Sequence, residues 1–328
     1  MQDSIATARA FPNIALIKYW GVLDAELRIP SNSSLSFNLA GLHTTTTVRF
    51  DHTLTNDQLL INDNPAPLSA TQRVSHHLNR IRALANLKSY ALVLSHNNFP
   101  AGTGIASSAS AFAALTMAAC AAAALHLPER QLSILARLGS GSACRSIPGG
   151  FVQWHAGEDH TSSFSESIAP PEHWELVDLI AIVSDVHKTI GSTKGHAAAE
   201  TSPLQAARVA DTPRRLALCR QAILQRDFEA FAAITEHDAL QMHAVMLTSS
   251  PPLIYWNPST LHIIEAVRQW RLDGFPVCFT IDAGPNVHVI TTGAYSDQLT
   301  YMLQALTGVE RILCATPGGG VHLLEEHL

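Results

Sequence analysis

The chain has 328 residues, of which 47% are hydrophobic and 15% are charged. This composition can bury a sizeable core, which excludes wholesale disorder, and the length predicts two domains or one large one. The net charge of −6, from 21 basic and 27 acidic residues, argues against a general nucleic-acid binder because neutralising phosphates needs a basic face.

The basic residues are divided unevenly, into 17 arginines and only 4 lysines. We interpret the scarcity of lysine as a compositional bias, which makes the position of each lysine informative. Lys18 ends the first apolar segment, within NIALIKYWG. From this stretch alone, Lys18 is either a solvated strand end or a charge directed into a cleft.

The first half of the chain alternates strand-like and helix-like patterns. Runs of β-branched and aromatic residues predict strands, and apolar residues three and four apart predict helices. The predicted strands are residues 14–19, 44–50 and 90–94. The predicted helices are residues 69–87, an alanine-rich segment that ends near Pro128, and residues 129–138.

Residues 100–110, PAGTGIASSAS, connect a predicted strand to the alanine-rich helix. Glycines let the backbone approach a ligand, and the start of a helix offers free N–H groups and a positive dipole end. The hydroxyls of Ser107 and Ser108 suit a phosphate oxygen or Mg²⁺. The stretch has neither the GK[ST] of a Walker loop nor the GxGxxG pattern, and an ordinary strand-to-helix turn is the alternative.

A second loop of small residues covers residues 139–150, GSGSACRSIPGG. Arg145 lies within it, and an arginine beside such a turn can bind a carboxylate or phosphate with two parallel hydrogen bonds. The alternative is a helix end followed by a surface arginine.

The second half begins with a strand-like segment at residues 175–183, and helical patterns dominate from residue 202. Residues 276–286 contain a strand that ends in the turn FTIDAGPN, where Asp282 stands at the start of a loop. Aspartate is also a common turn former, so its position alone does not establish a role. Short strands are predicted at residues 312–315 and 321–324, and a domain boundary is predicted near residues 180–200.

The sequence shows no sign of export or of a membrane span. The N-terminal residues include acidic and polar side chains where a signal peptide needs a basic start and an apolar run. The apolar run at residues 109–127 is built on alanine and is interrupted by Ser110, Thr116 and His126. Five scattered cysteines form no CxxC pair, which excludes a disulfide framework and a zinc site. We therefore expect a cytoplasmic protein with no membrane partner.

Six segments together resemble the mevalonate diphosphate decarboxylases, a family within the GHMP kinase superfamily. In chain order they are NIALIKYWG, PSNSSLSFNL, NNFPAGTGIASSASAFAAL, GSGSACRSIPGGFVQW, QMHAVMLTSSPP and FTIDAGPN. The resemblance implies an α+β GHMP kinase fold with two domains and a central active-site cleft. We expect a GHMP-type ATP-binding domain over residues 1–185 and a C-terminal GHMP-type domain over residues 186–328.

The resemblance also implies a site. The family uses ATP to phosphorylate the 3-hydroxyl of a 5-phosphorylated mevalonate, after which phosphate and CO₂ leave. By resemblance, Asp282 faces this hydroxyl, Lys18 holds Asp282 ionised, and Arg145 holds the substrate carboxylate. The implied substrate-binding residues are Tyr19, Trp20, Gly21, Ser140, Gly141, Ser142, Ala143, Cys144, Arg145, Ser192 and Thr193. The implied ATP-binding residues are Ser95, Asn97, Pro100, Gly102, Gly104, Ser107 and Ser108, with Ser108 also contacting the Mg²⁺ that ATP carries.

One position departs from the family pattern, because Val22 stands where the YWGK motif has its lysine. Losing one charge-assisted bond to a terminal phosphate would weaken binding about ten- to hundredfold. We therefore favour mevalonate 5-phosphate as the substrate, with isopentenyl phosphate as the product. Lys194 could supply the charge from another direction, so mevalonate 5-diphosphate is the alternative substrate.

Two further alternatives concern the type of protein. A GHMP kinase that phosphorylates without decarboxylation is disfavoured because Asp282 and Arg145 are both present. A catalytically silent binding protein is disfavoured because Lys18 and Ser108 are present as well. His243 either lines the cleft or is a structural histidine. Dimerisation is common in the family, so a homodimer is possible.

Overall fold

The structure is a computed structural model that describes residues 4–99, 107–184 and 191–328. The strands are β1 (Ser4–Ala10), β2 (Asn13–Ile17), β3 (Val22–Asp24), β4 (Ile29–Pro30), β5 (Ser34–Ala40), β6 (Thr44–Asp51), β7 (Gln58–Ile61), β8 (Asn64–Pro65), β9 (Tyr90–Asn97), β10 (Phe151–His155), β11 (Phe164–Ala169), β12 (Leu176–Ile182), β13 (Val277–Thr280), β14 (Val287–Thr292), β15 (Arg311–Pro317) and β16 (His322–Leu324). The helices are α1 (Leu68–Ala85), α2 (Ser107–Ala122), α3 (Glu129–Gly139), α4 (Ser192–Ala198), α5 (Gln205–Gln225), α6 (Phe228–Thr248), α7 (Pro258–Leu272) and α8 (Ser296–Gln304).

The first sheet has the strand order β16-β1-β6-β9-β7-β8 and is antiparallel except for the pair β7 and β9. Helix α2 packs on β1 and β6, and α1 and α3 pack beside it. Most of α2 is alanine and serine, and its alanines form the centre of this core together with Phe112 and Leu115. Small side chains let α2 lie close to β1 and β6 of the sheet.

The second sheet has the order β11-β10-β5-β15-β12-β14-β13, with β2 paired to β5. Helices α5 and α6 pack against each other, and α6 also contacts both β2 and β13. Strand β15 pairs with β12 over most of its length and with β5 at Thr316 and Pro317. The last strands of the chain therefore pair with the first half, since β16 also pairs with β1.

Strand β5 is buried on both faces, although every second residue is polar. The apolar residues Leu35, Phe37 and Leu39 join the core, and the alternate side chains of Ser34, Ser36 and Asn38 are also buried. Ser34 accepts a hydrogen bond from Arg145, with an Nη1–Oγ distance of 2.9 Å. Asn38 donates to Pro148 O at 2.8 Å and to Gly319 O at 2.9 Å, so the polar face of β5 bonds to other segments inside the protein.

The predicted strands and helices all occur in the structure, with ends shifted by a few residues. Nine strands in the described parts of the chain were not predicted, namely β1, β3, β4, β5, β7, β8, β10, β11 and β14, of which β3, β4 and β8 have only two or three residues. The division at residues 185 and 186 stays a prediction. Within the described ranges, no helix combines the length and apolar character that crossing a membrane requires.

Candidate active site

Lys18 and Asp282 form an ion pair between the ends of two strands. Lys18 directly follows β2 and Asp282 lies two residues beyond β13, and α6 packs on both strands. The distance from Lys18 Nζ to Asp282 Oδ1 is 2.6 Å. The lysine side chain is 1% exposed, whereas that of the aspartate is 25% exposed. The lysine end of the pair is therefore buried, and the aspartate end is partly exposed.

The electrostatics of this pair keep the carboxylate charged. Burial raises the pKa of Asp282, but the charges of Lys18 and His288 outweigh burial and the pKa lies below its usual value. Burial lowers the pKa of Lys18, and the charge of Asp282 opposes that shift. At neutral pH, Asp282 is thus an ionised hydrogen-bond acceptor with an accessible face.

Arg145 brings a second buried cation close to the pair. It lies in the short helical turn Gly141–Ser146, is 3% exposed, and donates from Nε and Nη2 to Asn13 Oδ1 at 3.2 and 3.0 Å. No carboxylate of the described residues lies within 4.0 Å of its guanidinium. Since a buried charge is costly without a counter-charge, the arrangement favours binding of an anionic group at Arg145.

The segment Tyr19-Trp20-Gly21 is held by a histidine from α4. The His196 ring stacks on Tyr19, with a centroid distance of 4.1 Å, and lies 4.6 Å from the Trp20 ring. Gly21 N–H donates to His196 Nδ1 at 3.2 Å. Burial, followed by the charges of Arg208 and Arg28, lowers the pKa of His196 to about 3, so the ring is a neutral acceptor.

Gly21 is required in this segment for two reasons. Its φ angle is +98°, in the region that favours glycine, and a Cβ there would lie 2.6 Å from Ser31 Oγ. Strands β3 and β4 pair as a hairpin. The backbone at Gly21 can lie close to Ser31, which directly follows β4, only because Gly21 has no side chain.

The predicted substrate loop starts beside the tyrosine of that segment. A Cβ on Gly141 would lie 2.7 Å from Tyr19 Oη, so the glycine permits this close contact. Ser140 Oγ and Ser108 Oγ are 3.1 Å apart, which joins the loop to the start of α2. Ser142 is half-buried, and its carbonyl accepts a hydrogen bond from Asn13.

Ala143 and Cys144 in the same loop are fully buried. The Cys144 thiol donates to Gly141 O at 3.0 Å, and burial raises its pKa to about 11. Cys144 is thus a protonated, inaccessible thiol rather than a nucleophile.

A cavity of about 200 Å³ opens between the first sheet and helices α1 and α2. Its apolar lining includes Leu59, Ile61, Val74, Val93, Phe112 and Leu115. Its polar lining includes Arg73 and four of the predicted ATP-binding residues, namely Ser95, Asn97, Ser107 and Ser108. An apolar slot that leads to serines at a helix start matches a nucleotide with its base in the slot and its phosphates at the helix.

The comparisons with known proteins agree with this geometry. A model of the diphosphomevalonate decarboxylase-like N-terminal domain matches residues 10–165, and a model of the mevalonate 5-diphosphate decarboxylase C-terminal domain matches residues 178–316. The chain is 39% identical to the Ganoderma lucidum diphosphomevalonate decarboxylase over 91% of its own length and 81% of the relative's. It is 40% identical to the Homo sapiens diphosphomevalonate decarboxylase over 87% of its own length and 76% of the relative's.

The chain belongs to the diphosphomevalonate decarboxylase family. Solved structures give the same result. The mevalonate diphosphate decarboxylase from Staphylococcus aureus superposes with a TM-score of 0.94 at 33% identity, over 98% of both chains. A structure described as MDDEF in complex with MVAPP, AMPPCP and magnesium superposes with a TM-score of 0.92 at 39% identity, over 98% of this chain and 99% of that one.

These findings confirm the predicted family, the α+β GHMP kinase fold and the prediction of an ATP-dependent decarboxylase. They do not support the preference for mevalonate 5-phosphate, because the relatives carry the name of the diphosphate enzyme.

Several residues that support the site in this family member were not predicted. Lys18 N–H donates to Asp238 Oδ1 at 3.2 Å, and Arg208 Nη2 donates to Lys18 O at 2.7 Å. Arg208 Nη1 also donates to Trp20 O at 3.3 Å. Asn13 is the first residue of the NIALIKYWG segment but was assigned no role. Arg208 and Asp238 lie in helices α5 and α6, outside any predicted site motif. No local sequence signal marks Arg208 and Asp238, because their role depends on the packing of their helices against β2 and Lys18.

Part of the predicted site lies outside the described residues. Pro100, Gly102 and Gly104 lie within residues 100–106, which are outside the described ranges. Ser192 and Thr193 begin α4, and their side chains are not among the described parts. The roles assigned to these five residues stay predictions.

Proposed function

We propose that this protein catalyses the ATP-dependent decarboxylation of mevalonate 5-diphosphate, forming isopentenyl diphosphate, ADP, phosphate and CO₂. The observation that carries the proposal is the half-open Lys18–Asp282 pair beside Arg145, a buried cation without a described counter-charge. Together these groups present one carboxylate and one cation to a ligand that has a hydroxyl and a carboxylate. The relatives are named diphosphomevalonate decarboxylase.

Asp282 is suited to bind the 3-hydroxyl of the substrate. Its carboxylate is ionised and exposed on one side, so it can accept the hydroxyl proton in a hydrogen bond and orient the oxygen towards ATP. Lys18 keeps the carboxylate ionised and adds positive charge where the phosphoryl group is transferred. Loss of the new phosphate and of CO₂ then converts the bond between C2 and C3 into an alkene.

Arg145 is suited to bind the substrate carboxylate until CO₂ leaves. Its Nε and both Nη groups are fixed by Asn13 and Ser34, so the guanidinium cannot swing away. The planar group can still offer its remaining N–H donors to a carboxylate. Holding the carboxylate also fixes the bond that breaks relative to the leaving phosphate.

ATP and Mg²⁺ fit the cavity at the start of α2. The apolar walls suit the adenine, and the hydroxyls of Ser107 and Ser108 lie where the phosphates would follow. Among the described residues, no group of three acidic, histidine or cysteine side chains could hold a metal ion by itself. Mg²⁺ is therefore expected to arrive with ATP, with Ser108 as its protein contact, and to offset the charge of the phosphates.

The experiment compares the two substrates with purified protein, ATP and Mg²⁺. We expect a higher kcat/KM for mevalonate 5-diphosphate than for mevalonate 5-phosphate, with one CO₂ released for each ADP formed. A preference for the monophosphate would restore the interpretation that Val22 suggested. ADP formation without CO₂ would instead indicate a kinase.

We also propose that the enzyme is cytoplasmic and forms a homodimer, as the family resemblance led us to expect. Sedimentation of the purified protein tests the second point: a mass of about 71 kDa, twice the 35.4 kDa of one chain, indicates the dimer. Fractionation of the producing cells tests the first.

A further inference from the structure

The hairpin formed by β3 and β4 carries a cation that the predicted site did not include. Val22 pairs with Pro30 in this hairpin, and Arg28 lies in the connecting turn just before β4 with a φ angle of +52°. Arg28 is half-buried. The hairpin therefore has no charge at the position of the family lysine and an arginine six residues later.

Contacts at both ends fix Arg28 beside the substrate loop. Its Nε donates to Leu138 O at 3.1 Å, two residues before Ser140. At the base of the hairpin, Ser31 N–H donates to Gly21 O at 3.2 Å, which joins β4 to the Tyr19–Gly21 segment. Arg28 thus lies beside the two segments that the resemblance assigns to the substrate, one of which leads directly to the position of the phosphate-binding family lysine at Val22.

The charge of Arg28 reaches the neighbouring side chains. It opposes the rise that burial causes in the pKa of Tyr19, and it contributes to the low pKa of His196. It also lowers the pKa of Arg73 and Arg80, in addition to the effect of burial. The guanidinium is therefore near the tyrosine and histidine of the substrate segment as well as the arginine of the nucleotide cavity.

Arg28 has no anionic partner in the part of the chain that the structure describes. Its Nη groups make no hydrogen bond there, and no carboxylate lies within 4.0 Å of it. Nearby arginines repel one another; the Glu26 carboxylate offsets part of that repulsion at Arg80, and a bound anion would relieve more of it. A phosphate group can take both free Nη groups of a guanidinium in parallel hydrogen bonds.

We propose that Arg28 binds the terminal phosphate of the substrate and so supplies, from the turn of the hairpin, the charge that Val22 does not. This inference rests on the proposed function, since it names the residue that recognises the diphosphate end. It makes Arg28 a specificity-determining residue. It also explains how the family lysine can be absent while the diphosphate remains the substrate.

The test measures steady-state kinetics of Arg28→Leu and Arg28→Lys with mevalonate 5-diphosphate and ATP. Arg28→Leu should raise the KM for the diphosphate about ten- to hundredfold and leave kcat within about threefold, because the contact exists in ground and transition states alike. Arg28→Lys should recover most of the affinity. The KM for ATP should stay unchanged, and a rise confined to that value would assign Arg28 to the nucleotide and overturn the proposal.

Arg80→Leu is the matched control. Arg80 Nη1 donates to the same carbonyl, Leu138 O, at 3.3 Å, but its Nη2 is turned to His76 Nε2 at 2.9 Å. If Arg28 only anchors the loop through Leu138, Arg80→Leu should raise the KM as much as Arg28→Leu does. An equal effect of the two variants overturns the proposal.

A rescue experiment separates charge from folding. In the double variant Val22→Lys with Arg28→Leu, a lysine at the family position should return the KM to within a few-fold of the wild-type value. If Arg28→Leu acted by unfolding the hairpin, it would lower the melting temperature and Val22→Lys would not rescue it, which contradicts the proposal. If the wild type prefers the monophosphate, the proposed function fails, but the KM of Arg28→Leu for that substrate still decides the role of Arg28.

Discussion

Two clusters of charged residues include or contact the Lys18–Trp20 segment, and they differ in whether each cation has a carboxylate partner among the described residues. In the site cluster, Lys18 and Arg145 face one carboxylate, Asp282, which is 25% exposed. In the support cluster, Asp238 lies 4.0 Å from Arg208 and 3.6 Å from Arg215, and all three side chains are 2% exposed or less.

Each arginine of the support cluster has a carboxylate of the protein within 4.0 Å. Arg215 pairs with Asp211 at 3.0 Å as well as with Asp238, and Asp211 also pairs with Arg214 on the surface. In the site cluster, by contrast, Arg145 has no carboxylate within 4.0 Å among the described residues, and Asp282 is partly exposed. The comparison indicates that the support cluster positions the chain and that the site cluster can bind an anion.

The largest effect is expected when the carboxylate of the site cluster is neutralised. Asp282→Asn should lower kcat by about 10²–10⁴, or about 2.7–5.5 kcal/mol of transition-state stabilisation, because the amide is a poor acceptor for the 3-hydroxyl proton. Rates of CO₂ and ADP release measure the loss. Lys18 can give up its proton when its partner is removed, since burial already lowers its pKa. The melting temperature should therefore fall only slightly, and a collapse of the fold would contradict the division of roles between the clusters.

Removing an arginine from the support cluster should act on stability instead. Arg208→Leu removes a cation that lies 4.0 Å from the buried Asp238, and it removes one charged donor from the carbonyls of Lys18 and Trp20. We expect a loss of about 1.5–3 kcal/mol in the free energy of unfolding, measured by urea titration.

Arg214→Leu on the same helix provides the control for Arg208→Leu. Arg214 is 58% exposed and pairs with Asp211 at 2.7 Å on the surface, where ion pairs contribute about 0–1 kcal/mol. Equal losses from the two variants would show that the support cluster has no special role.

The sequence could predict the site cluster because its members stand in motifs that end strands or helices. Lys18 and Asp282 each follow an apolar strand, and Arg145 lies in a loop of small residues after a helix. A lysine, an arginine and an aspartate at such positions suggest acid–base chemistry and anion binding. The support cluster could not be predicted in the same way. Arg208 and Asp238 lie in helices α5 and α6, 30 residues apart, and only the packing of these helices against β2 brings them under Lys18.

Strand β5 shows a second limit of prediction. Its Ser34 and Asn38 read as surface or turn residues, since polar residues in a strand usually face solvent. In the fold, the polar face of β5 is buried, and Ser34 helps to fix Arg145. Asn38 donates to the carbonyls of Pro148 and Gly319, so the partners of this buried face all come from other segments and the sequence of the strand alone cannot indicate them.

The third prediction tests how the site cluster holds its open cation. Arg145→Lys keeps the charge but cannot keep both Asn13 and Ser34 as partners while offering parallel donors to a carboxylate. We expect the KM for the substrate to rise about ten- to hundredfold. Steady-state kinetics with ATP held at saturation measure this change. An unchanged KM would place the substrate carboxylate elsewhere.

The smallest effect concerns His243, which links the site cluster to the core of α6. The ring lies 4.7 Å from Trp256 and hydrogen-bonds with the backbone of Ile281 and Asp282, and its Nε2 has no partner among the described residues. His243→Phe keeps the ring but loses these bonds, so kcat should fall about tenfold through misplacement of Asp282. His243→Asn, which keeps a donor, should lose less.

The unfolding free energy of His243→Phe should also depend on pH differently from that of the wild type. Burial lowers the pKa of His243 to about 3, so the folded protein keeps the ring neutral while the unfolded chain protonates it near pH 6.5. Its contribution to stability is therefore present above pH 6.5 and is lost progressively as the pH falls towards 3. Between pH 7 and pH 5, the wild type should lose about 2 kcal/mol more of its unfolding free energy than His243→Phe does. Parallel curves for the two proteins in urea titrations would mean that His243 has the same pKa in the folded and the unfolded chain, which would contradict its burial as a neutral ring.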